Sequence, residues 1–454
     1  MEKRLDPFYY VPELVELEKK VLFQHPKKLR DYVRGIASGA TPKTTESEKY
    51  YTDKENGVPF LRVQNLTPTG LLEFDDCKYI NGETHNGMLK RSQVNAGDLL
   101  VKITGVGRMA VASVAPEGFE GNINQHVCVI KTESGEISET LAAFLNTDVG
   151  EKLASRRSTG GTRPALDYPA LLSIPILNNS RILEITRKVV EQKRQNEAEA
   201  KKLLASIDDY LAKELRITIP EGTSNNLKER IYVRNLKLIS GNRFDPFFHQ
   251  EKFLSNIIAI NKGKYPIKPL REIIKGNLIK GILPKQEQKD GIKSVIQINS
   301  INPDGSILLE DLLTAKNIFA EEQKLTFGDI LIVITGATIG KIAHWTYQGD
   351  FYLGGDIVKF QTNQFVYNSF VFHILRSIPM QIEIKRNITG ATNGHLAPDD
   401  IKYFPIPIPP IEKQMEIADH ISAIRLHAND LRNKTNKALF QASIEIEKIL
   451  IGNK

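Results

Sequence analysis

The sequence predicts an α+β protein built twice: two similar strand-rich domains, each followed by a long amphipathic helix, with the helices pairing antiparallel as a coiled coil. Three observations predict it. The chain has two matching starts, "RLDPFYY" at Arg4–Tyr10 and "RFDPFFH" at Arg243–His249. Further matches follow each start in the same order, as an internal duplication requires. An apolar stripe at helical spacing then closes each copy.

The starts come first. Asp6-Pro7 and Asp245-Pro246 are expected to fix a turn, with Phe8 and Phe247 packing onto the domain or the helix. "FLRVQNLTPTG" (Phe60–Gly70) is answered by "VIQINSINPDG" (Val295–Gly305), and "GDLLVKITGVGRMAVA" (Gly97–Ala112) by "GDILIVITGATIGKIA" (Gly328–Ala343). "RRSTGGTRPALDYPALLSIPI" (Arg156–Ile176) corresponds to "KRNITGATNGHLAPDDIKYFPIPI" (Lys385–Ile408). The offset is 239 at Asp6/Asp245, 231 at Gly97/Gly328 and 230 at Pro175/Pro405, so the framework carries few insertions. Short β-branched runs such as "LLVKI", "HVCVIKT", "ILIVI" and "DIVKFQT" between Gly, Pro, Asn and Asp clusters read as strands. "ISETLAAFLNTDVGEKLASRR" and "YNSFVFHILRSIPMQIEIKRN" read as helices.

The stripes come last. Ile182, Ile185, Val189, Gln192, Asn196, Ala200, Leu203, Ile207, Leu211 and Leu215 recur every three or four residues, with a polar middle at Gln192 and Asn196. Ile417, Ile421, Ile424, Ala428, Leu431, Thr435 and Ala438 alternate four and three, the seam of a coiled coil. The first helix alone spans about 52 Å, at about 1.5 Å per residue. The expected boundaries are a first domain over 1–178, a first helix over 179–216, a connecting segment over 217–241, a second domain over 242–409 and a second helix over 410–451.

The 454 residues suit two or three domains, and 41% hydrophobic with 25% charged residues reads as a globular protein. A net charge of +7 suits a polyanionic partner without establishing one. Cys77 and Cys128 stand in no CxxC or Cys/His spacing, which argues against a disulfide framework or zinc site and points to a reducing cytoplasm. The start of the chain lacks the apolar core of a signal peptide, and no run approaches the length of a membrane span.

Catalytic motifs fail on spacing. "GATIGKI" (Gly336–Ile342) places three residues rather than four between its glycines and Ile342 after Lys341, unlike a phosphate loop. "EIK" (Glu383–Lys385) and "PDDIK" (Pro398–Lys402) read as a surface helix and a turn, not as a magnesium-holding nuclease cluster. "IPIPPIEKQ" (Ile406–Gln414) lacks the polar and aromatic flanks of a methyltransferase motif. His126 and His395 fall in turns with no partner cluster. The chain reads as a binder rather than a catalyst.

The motifs resemble one family, the DNA specificity subunits of type I restriction-modification enzymes, over nearly the whole chain. "SGATPKTTESEKYYTDKENGVPFLRV" (Ser38–Val63) is similar to the opening of a target recognition domain, "GDILIVITGATIGKIA" to its central hairpin, and "IPIPPIEKQMEIADHI" (Ile406–Ile421) to its Pro-Pro-Leu-x-x-Gln-x-x-Ile lead into a spacer helix. The first copy departs from the last pattern, with Asn178-Asn179 in place of Pro409-Pro410 and no equivalent of Gln414. The resemblance implies a non-catalytic subunit whose two target recognition domains each read one half of a bipartite, asymmetric duplex, with the helices as spacer. Two methyltransferase subunits using S-adenosylmethionine would dock on it, and nuclease-translocase subunits needing ATP and Mg would join for cleavage. This chain itself would bind no cofactor and no metal. A specificity subunit of a type IIB-like methylase-nuclease and a protein-binding adaptor are the alternatives.

Base contacts use Arg, Lys, Asn and Gln in fixed pairings, whereas any nearby cation or hydroxyl serves a phosphate. Polar residues on repeat-equivalent loops are therefore the candidates for DNA. In the first domain they are Lys43, Thr44, Arg62, Gln64, Asn65, Arg108, Gln125, Arg156, Arg157, Thr159 and Arg163. In the second they are Lys280, Lys285, Gln297, Asn299, Lys341, Lys385, Arg386, Asn387, Thr389, Thr392 and Asn393. The basic pairs Arg156-Arg157 and Lys385-Arg386 precede matching "TG" turns and are expected to touch phosphates. Arg108 is taken as the counterpart of Lys341.

Overall fold

The computed structural model describes residues 6–218, 231–235, 243–390 and 393–451. Most of the expected connecting segment and Arg4 lie outside them. The described residues divide into two compact units, 1–198 with 431–454 and 199–430. Each unit thus contains one strand-rich domain and a piece of both long helices.

Each unit opens on the same turn. The Asp6 carboxylate accepts from the Tyr9 amide at 3.0 Å and caps the 3₁₀ turn Pro7–Tyr10, while Asp245 accepts from Phe248 at 3.0 Å and caps Pro246–His249. Proline at the first position loses no bond there, since its missing N–H has no partner in a first turn. A helix follows in both, Pro12–Phe23 and Glu251–Asn261.

The central sheet is the same in both units. In the first the order is Gly35–Ser38, Val127–Lys131, Leu99–Lys102, Ala112–Val114, and in the second Ile279–Lys280, Ile357–Phe360, Ile330–Val333, Ile342–His344. All neighbours are antiparallel. A second sheet holds a parallel pair in each unit, Val58–Leu61 with Glu120–Ile123 and Lys289–Ile296 with Phe351–Leu353. The first unit widens this sheet to five strands, the second to three. A short ribbon then joins each domain's beginning to its end: Lys27–Lys28 pairs with Pro175–Ile176, and Ile267–Pro269 with Pro405–Pro407.

The two shorter helical stretches expected from the sequence are each broken in two. Gly135–Leu145 ends at Asn146 and Asp148–Arg157 restarts with the Thr147 hydroxyl accepting from the Gly150 amide. Asn368–Leu375 and Ile378–Asn387 break at the same place, where Pro379 suits only a first turn.

The long helices are Ser180–Leu215 and Ile411–Ile451. Within the first unit they run antiparallel, with Arg181 to Glu445 at 3.1 Å and the Asn196 amide donating to the Thr435 hydroxyl at 2.9 Å. Within the second, Glu214 meets Lys413 at 2.7 Å and the Tyr210 ring lies tilted against His420, centroids 4.2 Å apart. Their apolar faces are part of the domain cores. Ile182, Ile446 and Leu450 pack with Leu29, Phe144 and Leu171, and Ile207, Leu211, Ile417 and Ile421 with Phe370 and Phe404. Gln192, expected in the stripe, is exposed, whereas Lys193 beside it is partly covered.

Candidate nucleic-acid interface

At one end of each central sheet the loops converge through repeated backbone bonds. In the first unit the Ile103 amide donates to His126 O, Gly105 to Pro164 O, and Thr159 and Ala165 exchange two bonds of 2.8 Å. In the second, Ile334 donates to Asp356 O, Gly336 to Gly394 O, and Thr389 and His395 exchange bonds of 2.8 and 2.7 Å. A further loop closes each cluster. At Gly39 an added Cβ would lie 1.7 Å from Ile123 O, and at Gly281 it would lie 1.8 Å from Gly354 O. Only glycine allows the two backbones to approach so closely.

That pair exposes a match absent from the aligned motifs above: "GATPK" (Gly39–Lys43) and "GILPK" (Gly281–Lys285) occupy the same loop at an offset of 242. Comparing five-residue windows around each glycine would have found it. Lys43 and Lys285 are therefore equivalent, and both are exposed.

The loop ends gather part of the candidate set. Arg163 is exposed and donates to the His126 ring at 3.1 Å, and Gln125 beside it is bonded to the Thr41 hydroxyl. Burial, and then the Arg163 charge, hold His126 below its ordinary pKa. Thr159, Thr389 and Asn393 are exposed on the matching turns, and Lys280 and Lys285 on the second unit's near strand and loop. Thr392 lies outside the described residues, as does the side chain of Thr44.

A second group lies on the parallel-pair sheet. Arg62 and Gln64 both reach the Asp76 carboxylate, at 3.0 and 2.8 Å, and these bonds, Gln64 first, hold Asp76 below its usual range. Gln297 is half-buried and Asn299 exposed in the equivalent turn.

Several candidates are instead used inside the fold. Asn65 is 1% exposed; its side chain accepts from the Arg62 amide and donates to Glu73 O. Asn387 is buried against Glu383 at 2.9 Å. Arg156 and Arg157, 7% and 6% exposed, share the Glu18 carboxylate. Arg156 also donates to Tyr9 O at 2.8 Å and lies 4.2 Å from the Tyr9 ring centroid. Arg386 repeats this on Phe248, donating to its carbonyl at 3.2 Å and lying 3.8 Å from its ring centroid. The expectation of phosphate contacts at the two basic pairs thus gives way for Arg156, Arg157 and Arg386, which clamp the end of each domain onto its opening turn. Lys385 alone of the four is exposed. Glu383, read from sequence as a surface charge, is buried, and burial raises its pKa.

Arg108 and Lys341 are not counterparts. The hairpin pairs Val101 with Ala112 in the first unit and Ile332 with Ile342 in the second, so the first unit's tip is one residue longer. Ala110 at φ 52° then matches Gly340 at φ 88°. Arg108 donates to Asp148 at 3.0 Å and to Asn146 O, and Lys341 to Ile301 O at 2.8 Å. This single residue is the change of offset from 231 to 230 seen along the sequence.

Among the described residues no group of three or more His, Cys, Asp or Glu side chains is placed to hold a metal, and no helix is long and apolar enough to cross a membrane. Cys128 is buried, which pushes its thiol pKa up to about 12.

Comparison with known proteins identifies this scaffold. Residues 250–441 match the family model described as the type I restriction modification DNA specificity domain. The specificity subunit of the type I restriction enzyme EcoBI of Escherichia coli is 22% identical over 441 residues, covering 92% of this chain and 83% of that one. The EcoKI specificity subunit of Escherichia coli K12 is 26% identical over 178 residues, 36% of this chain and 38% of its own length. Among solved structures, a type I S subunit from M. genitalium aligns over 94% of both chains at 11% identity with a TM-score of 0.42. Residues 250–441 thus match a type I restriction modification DNA specificity domain, and the first unit repeats the architecture of that region.

Proposed function

We propose that each unit reads one half of a bipartite, asymmetric DNA target through its loop cluster, and that the long helices act as the spacer between the halves. The observation that carries this reading is the pairing of one framework with two sets of side chains. The closing ribbon, the opening turn and the convergent loops recur, while Arg163 is replaced by Asn393, and Gln125 and His126 by Gly355 and Asp356, at equivalent loop positions. Equal scaffolds with unequal contact residues suit two unequal half-sites, since bases are read by the side chains that reach their edges. Readers one helical turn apart, roughly 34 to 36 Å, reach the major groove from one side. Helices of 36 and 41 residues, about 54 and 61 Å long, suffice for that span.

The proposed contacts are the exposed loop residues Lys43, Gln125, Thr159, Arg163, Lys280, Lys285, Asn299, Lys385, Thr389 and Asn393, with Arg62, Gln64 and Gln297 on the neighbouring sheet. Methyltransferase subunits binding S-adenosylmethionine are proposed to dock on the outer faces of the helices, where Glu191, Arg194 and Gln195 of the first and Asn429, Asp430 and Asn433 of the second are exposed. Nuclease-translocase subunits using ATP and Mg complete the proposed complex, in the cytoplasm. Mapping methylated adenines in the genome that encodes the chain tests the reading. A split, asymmetric motif is expected; a contiguous or palindromic motif would overturn it.

A further inference from the structure

The first unit holds a buried lysine beneath its hairpin tip. Lys102 ends the strand Leu99–Lys102 and is 5% exposed. Its ammonium donates to Val106 O at 2.7 Å and to Arg108 O at 2.9 Å. Those carbonyls belong to the hairpin tip, where Gly105 and Gly107 take φ of 119° and 82° and Val106 stands 78% exposed. The tip is also tied to the facing turn by Gly105 N–H to Pro164 O.

Turning two carbonyls inward strands them unless a donor meets them, and burying an ammonium is costly unless several acceptors surround it. Each need here answers the other. The second unit has no such lysine: Val333 occupies the position of Lys102 and is fully buried, and the tip beyond it is one residue shorter. The added residue and the added lysine therefore form one device. The lysine fills the space under the longer loop and fixes the direction in which Val106 and Arg108 leave the sheet.

We propose that Lys102 is a specificity-determining positioning residue: an internal strut that holds the loop Thr104–Arg108 and, through the Gly105 N–H bond to Pro164 O, sets the turn bearing Arg163 in the shape with which the first unit reads its half of the target. This rests on the proposed two-reader function and assigns one element of it. The lysine touches no base. It acts through the loop, so its removal affects the choice of sequence in one half-site and leaves the other half alone.

The test is selection from a random-sequence DNA duplex library by the full chain, comparing wild type with Lys102→Met, which keeps the apolar stem and loses the donors. Wild type is expected to enrich two separated half-motifs. Lys102→Met is expected to keep one half-motif and lose definition in the other, binding the wild-type duplex about tenfold more weakly, the scale of one base contact. A second variant, Lys102→Val with Val106 deleted, copies the hairpin of the second unit and supplies a folded short loop should the methionine variant fail to fold. It is expected to change the same half-motif only. Wild-type motifs and affinity from either folded variant would overturn the strut. Failure of the wild-type chain to enrich any split motif would instead overturn the two-reader function.

Discussion

The two units solve the same packing problems with different residues. In the first, a carboxylate on the opening helix, Glu18, serves the buried arginines at the domain's end, while in the second Glu383 sits one turn from Arg386 on the same helix. Asp98 pairs with Lys131, but its counterpart Asp329 pairs with Lys359, two residues earlier on the matching strand. Ala142, Ala143 and Asn146 leave a cleft of about 870 Å³ and a smaller one beside the first long helix, where the second unit carries Phe372, His373 and Arg376. What the units share is backbone: a capped turn, a closing ribbon, two glycines under crossing strands. The scaffold is thus defined by where chains must touch, and side-chain chemistry is free to differ above it.

The strongest way to break that equivalence is at the glycines. Gly39→Val and Gly281→Val each force a side chain into a carbonyl, and each is expected to destabilise its own unit by about 4 kcal/mol or more. Calorimetric unfolding of the two variants should show equal losses, and a tolerated valine in either unit would show that the loops are not equivalent.

The next effect separates the units. Glu18→Gln leaves two buried guanidiniums short of their shared charge and is expected to cost about 3 kcal/mol in urea unfolding. Glu383→Gln should cost less, about 1 kcal/mol, because one arginine depends on it and the carboxylate already pays for burial. Equal costs would contradict the different charge placement.

Arg156→Met and Arg386→Met should each lower stability by about 1–3 kcal/mol while leaving the salt dependence of DNA binding unchanged. Lys43→Ala and Lys285→Ala are expected to do the reverse. Melting should change little, but binding to all sequences should weaken, and the salt slope should fall by about one for each phosphate that the missing ammonium no longer neutralises. Titration of fluorescent duplexes at several salt concentrations distinguishes the two sets.

The smallest effect is at the helix pair of the second unit. The Lys413 bond holds Glu214 below its ordinary 4.5, so its contribution is complete above that value and is lost as pH falls through the lower folded pKa. The pair is partly exposed, so the acid-side loss should stay below about 1 kcal/mol, and Glu214→Gln should remove it.

Much of this fold was legible because the duplication supplied a built-in control. The α+β class, the matching strands and both long helices follow from spacing repeated at nearly fixed offsets. The site was less legible, for physical reasons. Arg156 and Arg386 looked like surface cations because sequence shows a charge but not the ring and carbonyl that cover it. Asn65 looked like an adenine reader, yet the same amide serves a turn. Arg108 was matched to Lys341 because a one-residue insertion hides inside two segments of equal written length. Lys102 escaped notice because nothing in "LLVKITG" distinguishes a buried lysine from an exposed one.

The division of the long helices between the units has a consequence for folding rate. Residues 199–430 form the second unit as one continuous stretch, whereas the first unit joins 1–198 to 431–454. Ile446 and Leu450 are in the first unit's core, and the Gln24 side chain donates to Leu450 O, 426 positions away, at 2.5 Å. The first unit therefore carries the larger loop-closure cost, and of the two it is expected to fold more slowly.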